Sequence, residues 1–199
     1  MKIRKFLIQP TALLFLVWMI ISDRSGIGAM TLFAALLHEG GHFLASKMMN
    51  IPLSGIHIDL LGARLDVCGR MLSYGEEWLL CAAGPLTSLL ASAVGALFWK
   101  YTGAATFFSC VSFLLGVLNL LPIYSFDGGR MLECFLKRFT TVEITRIVMR
   151  GCTFLFLFLL WSSAVYFLLR ANDGLSLLCF SMSIFSRFFH FDMRKNEYC

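Results

Sequence analysis

Charged residues are scarce in this chain, and so is any long polar stretch. Asp, Glu, Lys and Arg together make up 15% of its 199 residues, whereas 58% are hydrophobic. A soluble domain of this length would need far more polar surface to cover its core. The composition therefore excludes an ordinary soluble protein and leaves no room for a large soluble domain beside a membrane domain. We expect a single integral-membrane domain over residues 1–199.

Paired cysteines and a cleavable leader are missing as well. The seven cysteines form no C-x-x-C pair, and several lie inside apolar stretches, which favours buried reduced thiols over a disulfide framework or a zinc ribbon. The apolar segment at 6–22 follows a basic start but has no small-residue cleavage pattern after Ile21. We therefore interpret it as a first anchor helix and not as a signal peptide.

What the chain has instead is a series of apolar runs. A helix needs about 20 mostly apolar residues to cross a bilayer, and the hydropathy predicts a membrane all-α fold with six transmembrane helices. They are placed at 6–22, 29–49, 77–99, 104–126, 150–169 and 174–189. An alternative with five spans and one re-entrant segment stays open.

The basic residues predict how these helices are oriented. If both termini are cytoplasmic, only Arg24, Lys100 and Arg170 lie outside, and the other 14 of the 17 Lys and Arg residues lie inside. The positive-inside rule therefore favours a multi-pass protein of the cell membrane with both termini in the cytoplasm. The net charge of +5 is then a topology signal and does not indicate nucleic-acid binding.

Two of the predicted cytoplasmic segments have a pattern of their own. In residues 54–72, apolar and polar residues alternate on both sides of Gly62, which predicts a small β-hairpin between the second and third helices. Residues 130–149 mix apolar side chains with basic and acidic ones, which predicts an amphipathic stretch on the membrane surface.

The second predicted helix carries the sequence HEGGH. His38 and His42 are four residues apart, so on a helix both imidazoles share one face and can reach the same metal ion. Glu39 is placed beside them to take a proton from a metal-bound water. Ionisable groups inside an apolar span are costly and indicate function, and the two glycines, at a cost of about 1 kcal/mol each, allow close approach of substrate or another helix. The structural alternative is that the histidines only hydrogen-bond neighbouring helices.

A catalytic zinc site usually takes three protein ligands and a water, so a third ligand has to be found. His57 and His190 are interpreted as interfacial residues. Asp127 is the better candidate, because Pro122 breaks the fourth helix and non-helical backbone at membrane depth is tolerated only where protein or a water-filled cavity covers it. The glycine pair at 128–129 would let the chain turn after the acid. Alternatively, this segment is a surface turn in which Asp127 caps a helix.

The paired motifs resemble those of a known family. H-E-x-x-H in a span, followed further along by N-x-x-P-x-x-x-x-D-G, is similar to the pattern of the site-2 protease family of intramembrane zinc metalloproteases (peptidase M50). The Ala83-Gly84-Pro85 element in the third span also resembles a small-residue element of that family. The resemblance covers a catalytic core at about 29–130, and the C-terminal helices at 150–189 follow it.

The resemblance implies a site and a chemistry. His38, His42 and Asp127 would be the ligands of one Zn²⁺ per chain, and Glu39 would be the catalytic base. Asn119 would orient the substrate or stabilise the oxyanion. In this family the sheet near the active site is thought to receive substrate as an added strand, which would give the 54–72 hairpin a role in β-augmentation.

The six-span layout is similar to the bacterial branch of stage IV sporulation protein FB, which releases a sigma factor from its membrane-bound precursor. The chain departs from the family pattern at Phe126, where a leucine is common, and it has no residues left for a PDZ or CBS domain.

We therefore expect a metalloendopeptidase that cuts a membrane-anchored protein near the cytoplasmic side, with a pro-sigma factor in sporulation as a candidate substrate. The expected partners are that substrate and the lipid bilayer, with no nucleic acid, and regulatory membrane proteins and an oligomer are both compatible with the sequence. The rival is a catalytically silent or metal-transporting membrane protein. The retained Glu39 and the near-absence of other intramembrane acids or histidines speak against it.

Overall fold

The computed structural model describes residues 5–8, 17, 21, 23, 26–51, 53–59, 62–67, 72–98, 103–171 and 182. The chain divides into two compact units, Met1–Asn119 and Leu120–Cys199, which are described one at a time. The elements run in the order β1 (Lys5–Ile8), α1 (Ile27–Met48), β2 (Leu53–Asp59), β3 (Gly62–Val67), α2 (Tyr74–Leu97), α3 (Gly103–Asn119), α4 (Asp127–Phe139) and α5 (Val142–Ala171). The described part of the chain is mostly helical.

In the first unit, α1, α2 and α3 pack against one another through small residues. A Cβ added to Gly41 of α1 would lie 2.7 Å from the carbonyl oxygen of Ala83 in α2, and one added to Gly95 of α2 would lie 2.5 Å from Ser109 Oγ in α3. Small residues let helices approach this closely in membrane proteins. Glycine is therefore needed where α1 meets α2 and where α2 meets α3.

The C-terminus of α1 is closed by a Schellman motif. Asn50 has a left-handed backbone with φ 51°; its N–H donates to the Lys47 carbonyl, and that of Ile51 donates to the Ser46 carbonyl. Asparagine adopts this conformation more readily than most residues. Ile51 is buried together with Leu80 of α2 in one apolar cluster, so the end of α1 is tied to α2.

A capping box fixes the start of α2. The Glu76 N–H donates to Ser73 Oγ at 3.2 Å, and the Ser73 N–H donates to Glu76 Oε2 at 3.0 Å. Each side chain thereby satisfies a backbone donor that the first turn of a helix leaves without an intrahelical acceptor. The first turn of α2 is thus secured ahead of Leu80, where the helix contacts α1.

The sheet has the strand order β1-β2-β3. Strands β2 and β3 are antiparallel, with Asp59 opposite Gly62 and Leu53 opposite Val67. They stand at the place where the sequence predicts a hairpin. The third strand, β1, pairs parallel with β2, so β2 is central and its backbone groups have a partner strand on both sides.

Strand β1 corrects the predicted start of the first transmembrane helix. Phe6–Ile8 fall within the span predicted at 6–22, yet they are extended and pair with Ile56–Ile58. A hydropathy window averages about 19 residues and therefore does not resolve a strand of four. Val17 and Ile21 are helical, and the sixth predicted span at 174–189 lies outside the described residues apart from Met182.

In the second unit, α4 and α5 contact each other and are separated by a short break. Thr141 Oγ1 accepts from the N–H of Ile144 at 3.4 Å, and the Thr140 N–H donates to the Leu136 carbonyl at 2.7 Å. Threonine hydroxyls at a helix start replace missing backbone partners. The predicted amphipathic stretch at 130–149 is therefore split between two helices, and the span predicted at 150–169 already begins at Val142.

Two described helices are long and apolar enough to cross a membrane, Tyr74–Leu97 and Val142–Arg170, and a shorter apolar helix covers Ala105–Asn119. Their apolar side chains are widely exposed; Leu90 of α2 is 66% exposed and Phe154 of α5 is 61% exposed. A soluble protein buries such faces in its core, whereas a bilayer solvates them. Helices α1, α2, α3 and α5 lie at the second to fifth predicted spans, and six crossings stay a prediction.

Candidate metal centre

Helix α1 places His38 and His42 on one face, as their spacing predicts. The two side chains are 4% and 8% exposed. Their ring centroids are 5.1 Å apart, and the ring planes stand at 80° to each other. Two imidazoles buried one turn apart can direct a nitrogen each toward a common ion.

His42 is oriented by a backbone carbonyl of α2. Its Nδ1 lies 2.8 Å from the carbonyl oxygen of Leu80. Because a carbonyl oxygen can only accept, Nδ1 must carry the proton, and in the neutral ring Nε2 then has the lone pair. Histidines that bind metals are held by this kind of hydrogen bond from the second ring nitrogen.

His38 makes a matching contact with a side chain of α2. Its Nδ1 lies 2.9 Å from Ser88 Oγ, and the pair is buried. The hydrogen bonds of the structural alternative, from the histidines to a neighbouring helix, are thus present. They use one nitrogen of each ring, so they do not compete with metal binding through the other nitrogen.

Gly84, the middle residue of the Ala83-Gly84-Pro85 element, lies directly against the His42 ring. A Cβ on Gly84 would overlap His42 Nε2. Moving the ring to make room for a methyl group would break its hydrogen bond to the Leu80 carbonyl. Gly84 therefore leaves the space that the imidazole fills. The next residue, Pro85, also lies inside α2, where it has no N–H to donate to the previous turn.

Asp127 is the first residue of α4. Its neighbours Gly128 and Gly129 are helical and buried, and a Cβ on either would overlap a backbone carbonyl oxygen, that of Leu120 or of Ile123. The sequence predicts a turn at these glycines, but neither of them has a positive φ. They are needed because the first turn of α4 packs directly on the backbone that precedes it.

The connection between α3 and α4 corrects the predicted fourth span. That span was placed at 104–126, but α3 ends at Asn119, which is consistent with a proline at 122 that cannot continue a helix. The Tyr124 N–H donates to Thr153 Oγ1 of α5 at 3.2 Å, and its hydroxyl donates to Glu133 Oε1 of α4 at 3.3 Å. Burial, and secondarily the Glu133 carboxylate, raises the pKa of Tyr124 to about 12, so the phenol stays a donor.

The structure brings the three predicted ligands together. One ligand atom each from His38, His42 and Asp127 lies within 4.8 Å of the others, with the histidines buried and the aspartate half-buried. Two imidazole nitrogens and one carboxylate oxygen are a ligand set typical of catalytic zinc. The donor chemistry and the hydrogen-bonded Nδ1 atoms therefore fit a bound metal ion.

The other predicted residues have more varied surroundings. Glu39 is half-buried on α1 beside His38. Asn119 ends α3, and its Nδ2 donates to the Leu115 carbonyl at 3.0 Å. The backbone of His57 lies in β2, and His190 falls outside the described residues.

The contacts of the histidines with Ser88 and with the Leu80 carbonyl were not predicted from the sequence. A serine in an apolar span is a weak signal, since hydroxyls are common where membrane helices pack. A backbone carbonyl has no sequence signature at all. Both become visible only when α1 and α2 are packed together.

Comparisons with known proteins agree with the motif pattern. The sequence model described as Peptidase family M50 matches residues 96–161. Two curated proteins named Putative zinc metalloprotease Rip3, from two strains of Mycobacterium tuberculosis, are 32% identical to this chain over 122 residues. Both matches support a relation between this chain and peptidase family M50. The solved structure of the Site-2 Protease from Methanocaldococcus jannaschii is 21% identical, with a TM-score of 0.62 and coverage of 92% of this chain and 89% of that one, and it shares the fold.

The matches differ in what they cover. The M50 match at 96–161 includes Asn119 and Asp127, while the HEGGH sequence lies outside it. The alignment with the Rip3 proteins takes in 56% of this chain but 31% of their length. This chain thus covers about a third of the curated relatives that it matches.

Proposed function

We propose that this chain is an intramembrane zinc metalloprotease in which His38, His42 and Asp127 hold one Zn²⁺. The observation that carries the proposal is the convergence of these three ligand atoms within 4.8 Å. The name of the curated relatives, zinc metalloprotease, supports the same metal and the same reaction. A single domain with its catalytic core at about 29–130 is part of this proposal.

Each side chain has a role in peptide hydrolysis. When bound, a zinc ion supplies Lewis acidity toward the scissile carbonyl together with an activated water. Glu39 accepts a proton as the water attacks and returns it to the leaving amine. Asn119 orients the substrate or stabilises the oxyanion through its second amide N–H, because the first donates to the Leu115 carbonyl.

The proposed substrate is a membrane-anchored protein cut near the cytoplasmic side. Long apolar helices with exposed apolar faces support a location within the bilayer, and the distribution of basic residues supports cytoplasmic termini in a six-span protein. The resemblance to the sporulation branch supports a pro-sigma factor as a narrower candidate substrate. An ordered strand pair, β2 and β3, is compatible with strand addition by that substrate.

Glu39 separates the protease from its rival, a silent or metal-transporting membrane protein. We expect Glu39→Gln to lower processing of a co-expressed, tagged single-span membrane protein by about 10²–10⁴-fold, the usual contribution of general acid–base catalysis. Zn²⁺ binding should persist, because Glu39 is not one of the three ligands.

The matched control is Glu143→Gln. Glu143 is an exposed acid in the first turn of α5, and the same loss of charge there should leave processing unchanged. Equal processing by wild type and Glu39→Gln would reject the proposed mechanism.

A further inference from the structure

The contact between Ser88 and His38 joins two almost fully buried polar groups of the first unit. Ser88 is 1% exposed and His38 is 4% exposed, and Ser88 Oγ lies 2.9 Å from His38 Nδ1. A buried polar atom costs free energy unless it is hydrogen-bonded. The hydroxyl of Ser88 is therefore the group on α2 that compensates the burial of this imidazole nitrogen.

The direction of this hydrogen bond decides which nitrogen of His38 has a lone pair. A hydroxyl can donate or accept, so the distance alone allows either tautomer. His42 gives the comparison, because its Nδ1 faces the Leu80 carbonyl and must carry the proton. His38 and His42 lie one turn apart on α1 and both direct Nδ1 to α2. A metal ion that uses the same nitrogen of both rings requires Nδ1–H on His38 as well.

We propose that Ser88 is a positioning residue of the metal centre: its hydroxyl accepts a hydrogen bond from His38 Nδ1–H and thereby directs Nε2 to the metal ion. The inference rests on the metal centre described under Proposed function. Ser88 itself contacts neither metal nor substrate. Its loss removes this hydrogen bond, which favours one ring orientation and one tautomer, and removing such a partner of a metal-binding histidine typically lowers metal affinity by roughly 10- to 100-fold.

Ser112 of α3 offers a matched control. It is also 1% exposed, and among the residues that the structure describes its Oγ has no hydrogen-bond partner. Ser112→Ala therefore removes the same atom from an equally buried site without breaking a hydrogen bond. Any effect that arises only from deleting a buried hydroxyl between helices should appear in both alanine variants.

The test is a Zn²⁺ titration of the full chain in detergent, in competition with a chromophoric chelator. We expect Ser88→Ala to bind Zn²⁺ roughly 10- to 100-fold more weakly, and Ser112→Ala to bind as wild type does. Ser88→Thr keeps the hydroxyl and should restore affinity. Ser88→Cys keeps the size and offers a weaker acceptor, so its affinity should fall between serine and alanine. Thermal unfolding of the metal-free variants measures folding stability separately. The loss of Zn²⁺ affinity in Ser88→Ala should not be explained by a change in the melting temperature of its metal-free form.

The outcomes separate this inference from the metal centre itself. Wild-type affinity in Ser88→Ala, or an equal loss in Ser112→Ala, would overturn the positioning role while leaving the centre intact. If wild type and His38→Ala bind Zn²⁺ equally, the metal centre is wrong, and Ser88 has nothing to position.

Discussion

His38 and His42 are held by hydrogen bonds between their Nδ1 atoms and α2, whereas Asp127 begins a helix that is held by backbone packing at Gly128 and Gly129. The difference lies in what each part of the centre can tolerate. The orientation of the histidine rings on α1 depends on hydrogen-bond partners in α2, and a substitution that deletes such a partner removes the bond. The start of α4 depends on the absence of a Cβ at Gly128 and Gly129, because an added Cβ would overlap a backbone carbonyl. Substitutions can therefore test the two parts separately.

The largest effect on stability is expected at the start of α4. In Gly128→Ala and Gly129→Ala the new methyl group would overlap the carbonyl of Leu120 or Ile123, and backbone atoms have no rotamer that relieves the clash. Overpacking costs about 1–3 kcal/mol and occasionally more, and we expect the upper end. Thermal unfolding in detergent measures the change.

Gly151 of α5 is the control in the same unit. It is helical, and a Cβ there meets nothing within 4 Å. Gly151→Ala should therefore be neutral or stabilising by up to about 1 kcal/mol, because alanine is the better helix former. If all three alanine variants unfold at the same temperature, backbone packing does not hold the start of α4.

A smaller effect is expected where α1 meets α2. A Cβ on Gly41 would lie 2.7 Å from the Ala83 carbonyl and would overlap the Thr87 hydroxyl, while one on Gly40 meets nothing within 4 Å. The Thr87 side chain can rotate, so Gly41→Ala should cost about 1–2 kcal/mol, within the usual range for overpacking. Gly40→Ala should not destabilise the protein. The same unfolding experiment compares the neighbours, and a greater loss in Gly40→Ala would contradict the packing described here.

The smallest effect is expected at Thr153, whose hydroxyl accepts from the Tyr124 N–H. Thr153→Val keeps the shape and removes the acceptor, which should cost about 1 kcal/mol, the typical value of one hydrogen bond. Thr153→Ser keeps the acceptor and should lose less stability. If serine is the worse replacement, then the methyl group and not the hydroxyl of Thr153 secures the connection before Asp127.

The sequence predicted the metal ligands better than the strand, the hydrogen-bond partners and the glycine contacts around them. The four-residue spacing of His38 and His42 fixes their common face because a helix has 3.6 residues per turn. Pro122 similarly marks a break before Asp127, although the hydropathy extended the fourth helix past Asn119. These are local features, so they can be inferred from neighbouring residues.

The features that the sequence did not predict depend on partners far along the chain. Strand β1 is four residues long and is defined by its pairing with β2 some fifty residues later. The Leu80 carbonyl and the Ser88 hydroxyl support the histidines only because α2 packs on α1. The glycines after Asp127 were expected at a turn, since close backbone packing and a positive φ give the same preference for glycine.

The central claim is that His38, His42 and Asp127 together hold one metal ion, and bound zinc per chain tests it most directly. The full chain and its variants are purified in detergent, equilibrated with limiting Zn²⁺ and freed of unbound metal before elemental analysis. We expect about one zinc per chain in wild type and Glu39→Gln, and little in His38→Ala, His42→Ala and Asp127→Ala, because a catalytic site holds its ion with three protein ligands. Wild-type zinc content in Asp127→Ala would contradict the three-ligand centre.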